Sequence, residues 1–421
     1  MHRMFAALLA AVSCVSVAQA QDIVSAVPSA GPPLTLDQAV AAAGGSAPAA
    51  DAARADITAA EAARTIAGLR PNPTVTTEVE NVVGTGPYGG FRGAEMTVGL
   101  SIPIELGGKR SARIAVADAR TTRAQLAAAI TEADIRLQVT ELYINAVAAE
   151  RRLVTALDQA RIASEALNAA RVRVRAGRAS PIEEQRADVT RLNAEAAVEN
   201  ARRLLDAARL NLGRRIGQPV TGRLDATALD SLPAANGPHL MPIAEGTLAL
   251  AAADADLAVA DAGVRLARSQ RTPDITVGPG VRRFSESDDT AALFSISVPI
   301  PLFNSGRAAV GQASAERNRA EAQQRMTALD VEQAILDVRT EADNAATNAR
   351  TANGPALAAA QEAARIARIG YREGKFGQLD LLDAERTLAE TRLAAIDALV
   401  AYQNARAQLE RLTAPAPEQG N

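Results

Sequence analysis

Asp380 and Asp383 stand three residues apart just beyond the turn Gly374-Lys375-Phe376-Gly377, at the start of a helical run, and so share one side of that helix. Two carboxylates on one face attract cations and repel anions. Asp380 could equally cap the helix start, and Asp383 could be one charge on a wet face. Little else in the chain is equipped for chemistry. One histidine, His239, lies in a Pro-Gly-rich linker beyond the N-terminal region, and the single cysteine, Cys14, falls inside an N-terminal segment of secretory type. A zinc site built from His and Cys is therefore excluded, no carboxylate spacing argues for another metal site, and Met96, Met241 and Met326 are too scattered for a thioether relay. No glycine-rich phosphate loop of Walker type occurs, so any energy must come from a partner. The expectation is a protein that is not an enzyme and has no cofactor and no resident metal.

Two further groups have a clear physical use. Pro103 and Pro299 remove a strand donor near the end of an alternating segment, and Gly107, Gly108 and Gly306 permit a sharp change of direction from strand to helix. Lys109, Arg110 and Arg307 follow at once and are expected at a membrane boundary, where cations meet anionic head groups. The second group is a pair of turns, Arg175-Ala176-Gly177-Arg178-Ala179-Ser180 and Tyr371-Arg372-Glu373-Gly374-Lys375. Small residues there allow close backbone approach and Arg offers directional hydrogen bonds, although glycine also simply reverses the chain.

The elements that position these residues occur twice, offset by about 196–200 residues, which is the signature of one body built from two similar halves. An Asn72-Pro73 or Thr272-Pro273 step opens each half's alternating region. In the first half, 74–82 reads as a strand, 84–93 as a loop, and Met96, Val98, Leu100, Ile102 and Ile104 alternate with Thr97, Gly99 and Ser101. In the second, Ile275, Val277 and Val281 mark one strand, and Ala292, Phe294, Ile296, Val298, Ile300 and Leu302 its partner. Period two means one apolar and one polar or small face. After Gly108 the period becomes helical, with neither proline nor glycine over 109–173, about 95 Å of helix at 1.5 Å per residue. A return helix spans about 182–215. The second half repeats the hairpin with 307–368 and 379–412, except that Asn353-Gly354-Pro355 should kink it. A helix starting near Thr35, a candidate cap, runs to about Leu69 with an interruption at Gly44-Gly45.

The domain reading is a signal peptide at 1–20, a disordered lead at 21–33, a first repeat at 34–216 containing the hairpin 74–104, a linker at 217–246 forming a small mixed element, a second repeat at 247–413 containing the hairpin 274–302, and a disordered tail at 414–421. His2 and Arg3, the apolar run from Phe5 to Val12, and Ala18-Gln19-Ala20 support cleavage after residue 20. Ala11-Val12-Ser13-Cys14 leaves open a second possibility, acylation of Cys14 as a lipoprotein. No later stretch is apolar for the ~20 residues of a spanning helix. Hydrophobic residues are 48% of the chain but aromatics only 2%, so alanine supplies much of the apolar count and thin helical layers fit better than a thick core. With 45 basic and 48 acidic residues the balance does not suggest nucleic acid.

Strands of about ten residues match a tilted crossing of hydrocarbon, and four of them cannot close a barrel alone. The segment Pro103-Ile104-Glu105-Leu106-Gly107-Gly108-Lys109-Arg110, its counterpart Pro299-Ile300-Pro301-Leu302-Phe303-Asn304-Ser305-Gly306-Arg307, and the turn from Gly374 to Ala384 together resemble the outer-membrane factor family, the TolC-like trimeric channels, from about Leu34 to Leu412. The first segment is similar to that of the heavy-metal branch, the cobalt-zinc-cadmium efflux type. The resemblance implies a mixed α+β membrane protein: a homotrimer with a 12-stranded transmembrane β-barrel, four strands per protomer, continued by a long periplasmic α-helical coiled-coil barrel. It further implies acidic rings of Asp380 and Asp383 at the channel entrance. It also implies docking of a periplasmic adaptor (membrane fusion) protein on turns that include Arg175, Gly177, Arg178, Ser180, Tyr371, Gly374 and Lys375. An inner-membrane proton-driven transporter of the resistance-nodulation-division (RND) type and contact with outer-membrane lipid complete the implied assembly. The expected location is the outer membrane of a Gram-negative bacterium, extending into the periplasm, and the expected cargo is divalent heavy-metal cations. A duct for organic drugs or proteins, and a soluble periplasmic adaptor or coiled-coil scaffold, remain as alternatives. The thin set of aromatics near the strands, Tyr88, Phe91, Phe284, Phe294 and Phe303, is unusual for a barrel.

Overall fold

The computed structural model of the chain describes residues 32–232 and 243–417. The expected signal peptide with Cys14, most of the lead, His239, Met241 and residues 418–421 lie outside them.

Helix α1 (Leu36–Ser46) begins with a capping box, in which the Thr35 side chain accepts from the Gln38 amide and Gln38 accepts from the Thr35 amide. The interruption falls at Ala47-Pro48 and not at Gly44-Gly45, because Pro48 is well placed at the first position of a new helix, α2 (Pro48–Ala67). Strands β1 (Thr74–Glu80) and β2 (Glu95–Ile104) form the first hairpin. The long helices α3 (Lys109–Arg175) and α4 (Pro181–Ile216) follow, then a short α5 (Thr227–Asp230) and α6 (Leu248–Ser269). Strands β3 (Ile275–Phe284) and β4 (Thr290–Ser297) lead into α7 (Arg307–Thr351), α8 (Leu357–Arg372) and α9 (Gln378–Leu412). Helix α3 has 67 residues, about 100 Å. The kink expected at Asn353-Gly354-Pro355 is present as a wide helical turn in which Gly354 leaves helical geometry (φ −106°, ψ −105°).

The four strands form one antiparallel sheet in the order β1-β2-β3-β4. The register pairs Val75 with Leu100, Val79 with Met96, Val98 with Val281, Ile102 with Val277, and Val277 with Ile296. These apolar residues therefore share one face, and Thr76, Glu78, Thr97, Gly99, Gly278, Arg282 and Ser295 share the other. Val75, Val79, Val98, Val281, Phe294 and Ile296 are all exposed, so none of the described residues covers the apolar face. Strand β4 is shorter than expected and ends at Ser297, short of Leu302. Pro299 and Pro301 have no amide to offer a ladder. Ile300, Leu302 and Phe303 beyond it are exposed.

The helical layers are thin, as the alanine content requires. Ala39, Ala43, Ala146, Ala148, Ala170, Ala187, Ala349 and Ala364 are wholly buried, so the helices approach closely. Larger side chains collect at the girth, where Val139, Tyr143, Ile144, Leu212, Leu229 and Leu399 pack with α1. Here Leu34 bridges Leu224 in parallel, the mixed element expected of the linker. Residues 414–416, expected in a disordered tail, instead pair with 246–248: the Ala416 amide donates to the Gly246 carbonyl at 2.9 Å and the Leu248 amide to the Ala414 carbonyl at 3.1 Å. Apolar packing of Ala414 and Ala416 against the Leu126–Leu248 cluster holds them there.

Tyr143 ties this girth together. Its hydroxyl lies 2.6 Å from the Leu34 carbonyl and 3.0 Å from the Asp225 carbonyl, and accepts from the Asp225 amide at 2.9 Å. Burial pushes its pKa from 10.0 up to about 12. The folded-state pKa lies above the unfolded one, so this contribution is complete below pH 10.0 and is lost as pH rises through about 12. Tyr143→Phe takes the donor from the half-buried Asp225 carbonyl, while the Asp225 amide keeps its bond to the Leu34 carbonyl at 3.0 Å, and should destabilise by about 1–3 kcal/mol. Thermal unfolding of the detergent-solubilised protein should show a lower midpoint and a weaker alkaline decline than the parent.

Candidate functional site

The strand-to-helix junctions of both repeats converge on one short segment, 269–274, between α6 and β3. Gly107 and Gly108 have φ values of +70° and +72°. A Cβ at Gly107 would stand 2.6 Å from the Thr272 side chain and 2.9 Å from the Ser269 carbonyl, so only glycine fits. In the second repeat a Cβ at Gly306 (φ +69°) would meet Arg271 Cγ at 2.8 Å, and the Gly306 amide is held by Asn304 Oδ1 at 3.1 Å. Asp274 accepts from the Leu106 amide at 3.0 Å and from Lys109 Nζ at 2.7 Å. Arg113 forks onto Glu105 and donates to the carbonyls of Ala67 and Leu69, while Arg110 Nε donates to the Gly68 carbonyl at 2.6 Å.

Lys109 and Arg110, expected at head groups, both have partners within the protein. Lys109 is half-buried against Asp274, and Arg110 caps the end of α2. Arg110 and Arg307 both remain exposed, the latter at the first position of α7. Pro103 pairs with Thr276 inside the ladder, and Pro299 lies two residues past the last strand residue, Ser297. Asp274, Glu105 and Arg113 were not singled out in the sequence. The one available signal was the departure from the repeat, Thr272-Pro273-Asp274 against Asn72-Pro73-Thr74.

At the other end, the two inner turns have the same backbone design. The Arg178 amide donates to the Arg173 carbonyl, and the Lys375 amide to the Gly370 carbonyl, both at 2.8 Å. Gly177 and Gly374 occupy the left-handed position, at φ +67° and +75°. Both are open, with nothing within 4 Å of an added Cβ. Ser180 caps α4 through the Ile182 amide, and Arg175, Arg178 and Lys375 are exposed, the last paired with Glu373. Tyr371 is the exception among the expected docking residues. It is buried, and its ring lies 4.8 Å beneath the Arg173 guanidinium. Gln378 Nε2 donates to the Glu183 carbonyl at 2.9 Å and links the two turns. Arg368 forks onto the buried Glu385 and locks α8 to α9.

Asp380 and Asp383 are both exposed on α9. Asp380 accepts from the Gly377 amide at 2.9 Å and so does cap the helix. Asp383 faces solvent near Arg386. Between the two hairpins lies a cleft of about 660 Å³ lined by Gln159, Glu165, Asn193, Tyr371, Leu381 and Glu385, among others. Among the described residues, no group of three or more His, Cys, Asp or Glu is arranged to hold a metal ion, and no helix is long and apolar enough to cross a membrane.

A sequence model described as outer membrane efflux protein matches residues 40–218 and 243–414. The cobalt-zinc-cadmium resistance protein CzcC of Cupriavidus metallidurans is 32% identical over 422 aligned residues, 98% of this chain and 99% of its own. The nickel and cobalt resistance protein CnrC of the same organism is 30% identical over 63% of this chain and 62% of its own. Among solved structures, CusC superimposes with a TM-score of 0.76 at 18% identity, covering 90% of this chain and 92% of that one. The open state of the Neisseria gonorrhoeae MtrE outer membrane channel gives 0.75 at 20% identity, covering 90% and 88%. The last two similarities show the shared fold.

Proposed function

Since this chain belongs to the outer membrane efflux protein family, an outer-membrane channel that extends into the periplasm, we propose that it is the exit duct of an assembly exporting divalent heavy-metal cations. The observation that carries this reading is the sheet. Among the described residues its apolar face is bare and the outer edges of β1 and β4 have no partner strand, and its strands run directly into helices of up to about 100 Å. Open edges are not tolerated in lipid. Three copies, with β4 of each beside β1 of the next, would close twelve strands with the apolar face toward lipid and the Thr-, Ser- and Gly-rich face toward the lumen. The helical hairpins would then continue the wall into the periplasm as a coiled-coil barrel.

At the inner end, Asp380 and Asp383 of three protomers would ring the entrance and favour cations. The open turns at Gly177 and Gly374 would receive the hairpin of a periplasmic adaptor, which would join the duct to a proton-driven RND transporter in the inner membrane. The metal cargo is supported by relatives named for resistance to cobalt, zinc, cadmium and nickel. A duct should hold its cargo weakly, since conduction requires release.

Cellular cobalt, zinc and cadmium, measured by elemental mass spectrometry after metal challenge, should rise in cells lacking this protein and return to the parental level on complementation. Parental metal content in the deletion strain, with any sibling duct also deleted, would move the cargo to organic compounds or peptides.

A further inference from the structure

The polar face of the sheet carries one tightly built charged cluster. Glu80 of β1 and Glu95 of β2 are direct register partners, and like charges placed opposite one another in a sheet repel. Arg282 of β3 stands opposite Thr97, one residue pair away on the same face. Its guanidinium nevertheless reaches back over both carboxylates, at 2.6 Å from Glu95 Oε2 and 2.8 Å from Glu80 Oε2, and its Nε donates to Thr97 Oγ1 at 2.9 Å. One side chain thereby joins three strands. Arg283 lies on the apolar face and pairs with Asp288 of the β3–β4 loop, so it takes no part. Glu78 lies two residues from Glu80, also on the polar face.

We propose that Arg282 is a built-in counter-cation: by occupying the gap between Glu80 and Glu95 it prevents the outer section of the duct from capturing the divalent cations that pass through it. The inference rests on the duct reading above, which makes this face the lumen wall. Without the guanidinium, two carboxylates on adjacent strands would present hard oxygen donors at a spacing able to share a divalent ion. Such a site on the wall of an exit path would retain cargo. Arginine suits the task because it stays charged at every physiological pH and its planar fork can satisfy two carboxylates at once. Each cluster lies within one protomer, so three would act independently.

The test is single-channel conductance of the purified trimer in planar bilayers, in potassium chloride, with and without millimolar cobalt chloride. Arg282→Gln should be insensitive in potassium chloride alone but lose roughly two-fold in conductance on adding cobalt, as a wall-bound cation obstructs and repels others. Glu80→Gln added to Arg282→Gln should abolish that block, and the parent should show little of it. The separate variant Glu80→Gln/Glu95→Gln, which leaves Arg282 unneutralised, should shift selectivity toward chloride, and it keeps the test alive if Arg282→Gln does not assemble. Equal cobalt response in Arg282→Gln and parent, or unchanged ion selectivity in Glu80→Gln/Glu95→Gln, overturns the proposal. A parent that forms no channel overturns the duct reading instead.

Discussion

Gly107→Ala should abolish the detergent-stable trimer that the duct reading requires, while Gly177→Ala should leave it intact. Both glycines have nearly the same positive φ, so the backbone strain of about 1–2 kcal/mol for a left-handed residue is common to the two. The difference lies in the surroundings. The first methyl group at 107 would stand 2.6 Å from Thr272 and 2.9 Å from the Ser269 carbonyl, in the segment on which both repeats converge, whereas at 177 it meets nothing. Relief at 107 requires moving 269–274, and with it the anchor that Asp274 provides for Leu106 and Lys109. The combined effect should exceed about 3 kcal/mol, the range of strain plus a broken buried network. Unheated gel electrophoresis of outer-membrane extracts reads the result, and stable trimers of Gly107→Ala would show that the junction is looser than its geometry implies. The same contrast makes Gly177 and Gly374 clean probes of adaptor docking. Bulky residues there should reduce cross-linking to the adaptor in trimers that still assemble, and undiminished cross-linking would remove the turns from the docking surface.

Asp380→Asn/Asp383→Asn should raise single-channel conductance several-fold and weaken block by divalent cations applied from the periplasmic side. Asparagine is the informative replacement at 380, because its carbonyl oxygen can still accept from the Gly377 amide, the bond that starts α9. Alanine there would mix loss of charge with fraying of the turn. Asp383 carries no such duty, so Asp383→Asn alone should produce a sizeable part of the effect. If conductance and block are both unchanged in the double variant, the two carboxylates only cap and solvate the helix.

Much of this fold was legible because its signals are local. Period two over Met96, Val98, Leu100, Ile102 and Ile104 survives as one face of β2, and the Gly-Pro step at 354–355 does kink its helix. The capping box at Thr35 and the two glycine turns were equally plain, since each is set by neighbours within a few residues. What escaped is tertiary. Asp274 pairs with Lys109 across 165 residues of sequence separation, and no pattern near Lys109 announces it. Tyr371 sits in a turn region that looks exposed, but Arg173 from the other hairpin covers it. The tail at 414–416 is held by partners at 246–248 that its own proline-rich composition does not suggest. In the candidate site, both glycines of the inner turns and the capping role of Asp380 could be read, whereas Gln378 and Glu183, which join the turns, could not.

The central claim is that this chain makes a transmembrane conduit, and the most direct measurement is current. Purified protein, checked for trimers, should insert into a planar lipid bilayer and give discrete, uniform conductance steps that favour potassium over chloride. Protein that is released quantitatively with the periplasm without detergent, and that never conducts in a bilayer, would contradict the account and return the chain to the class of periplasmic scaffolds.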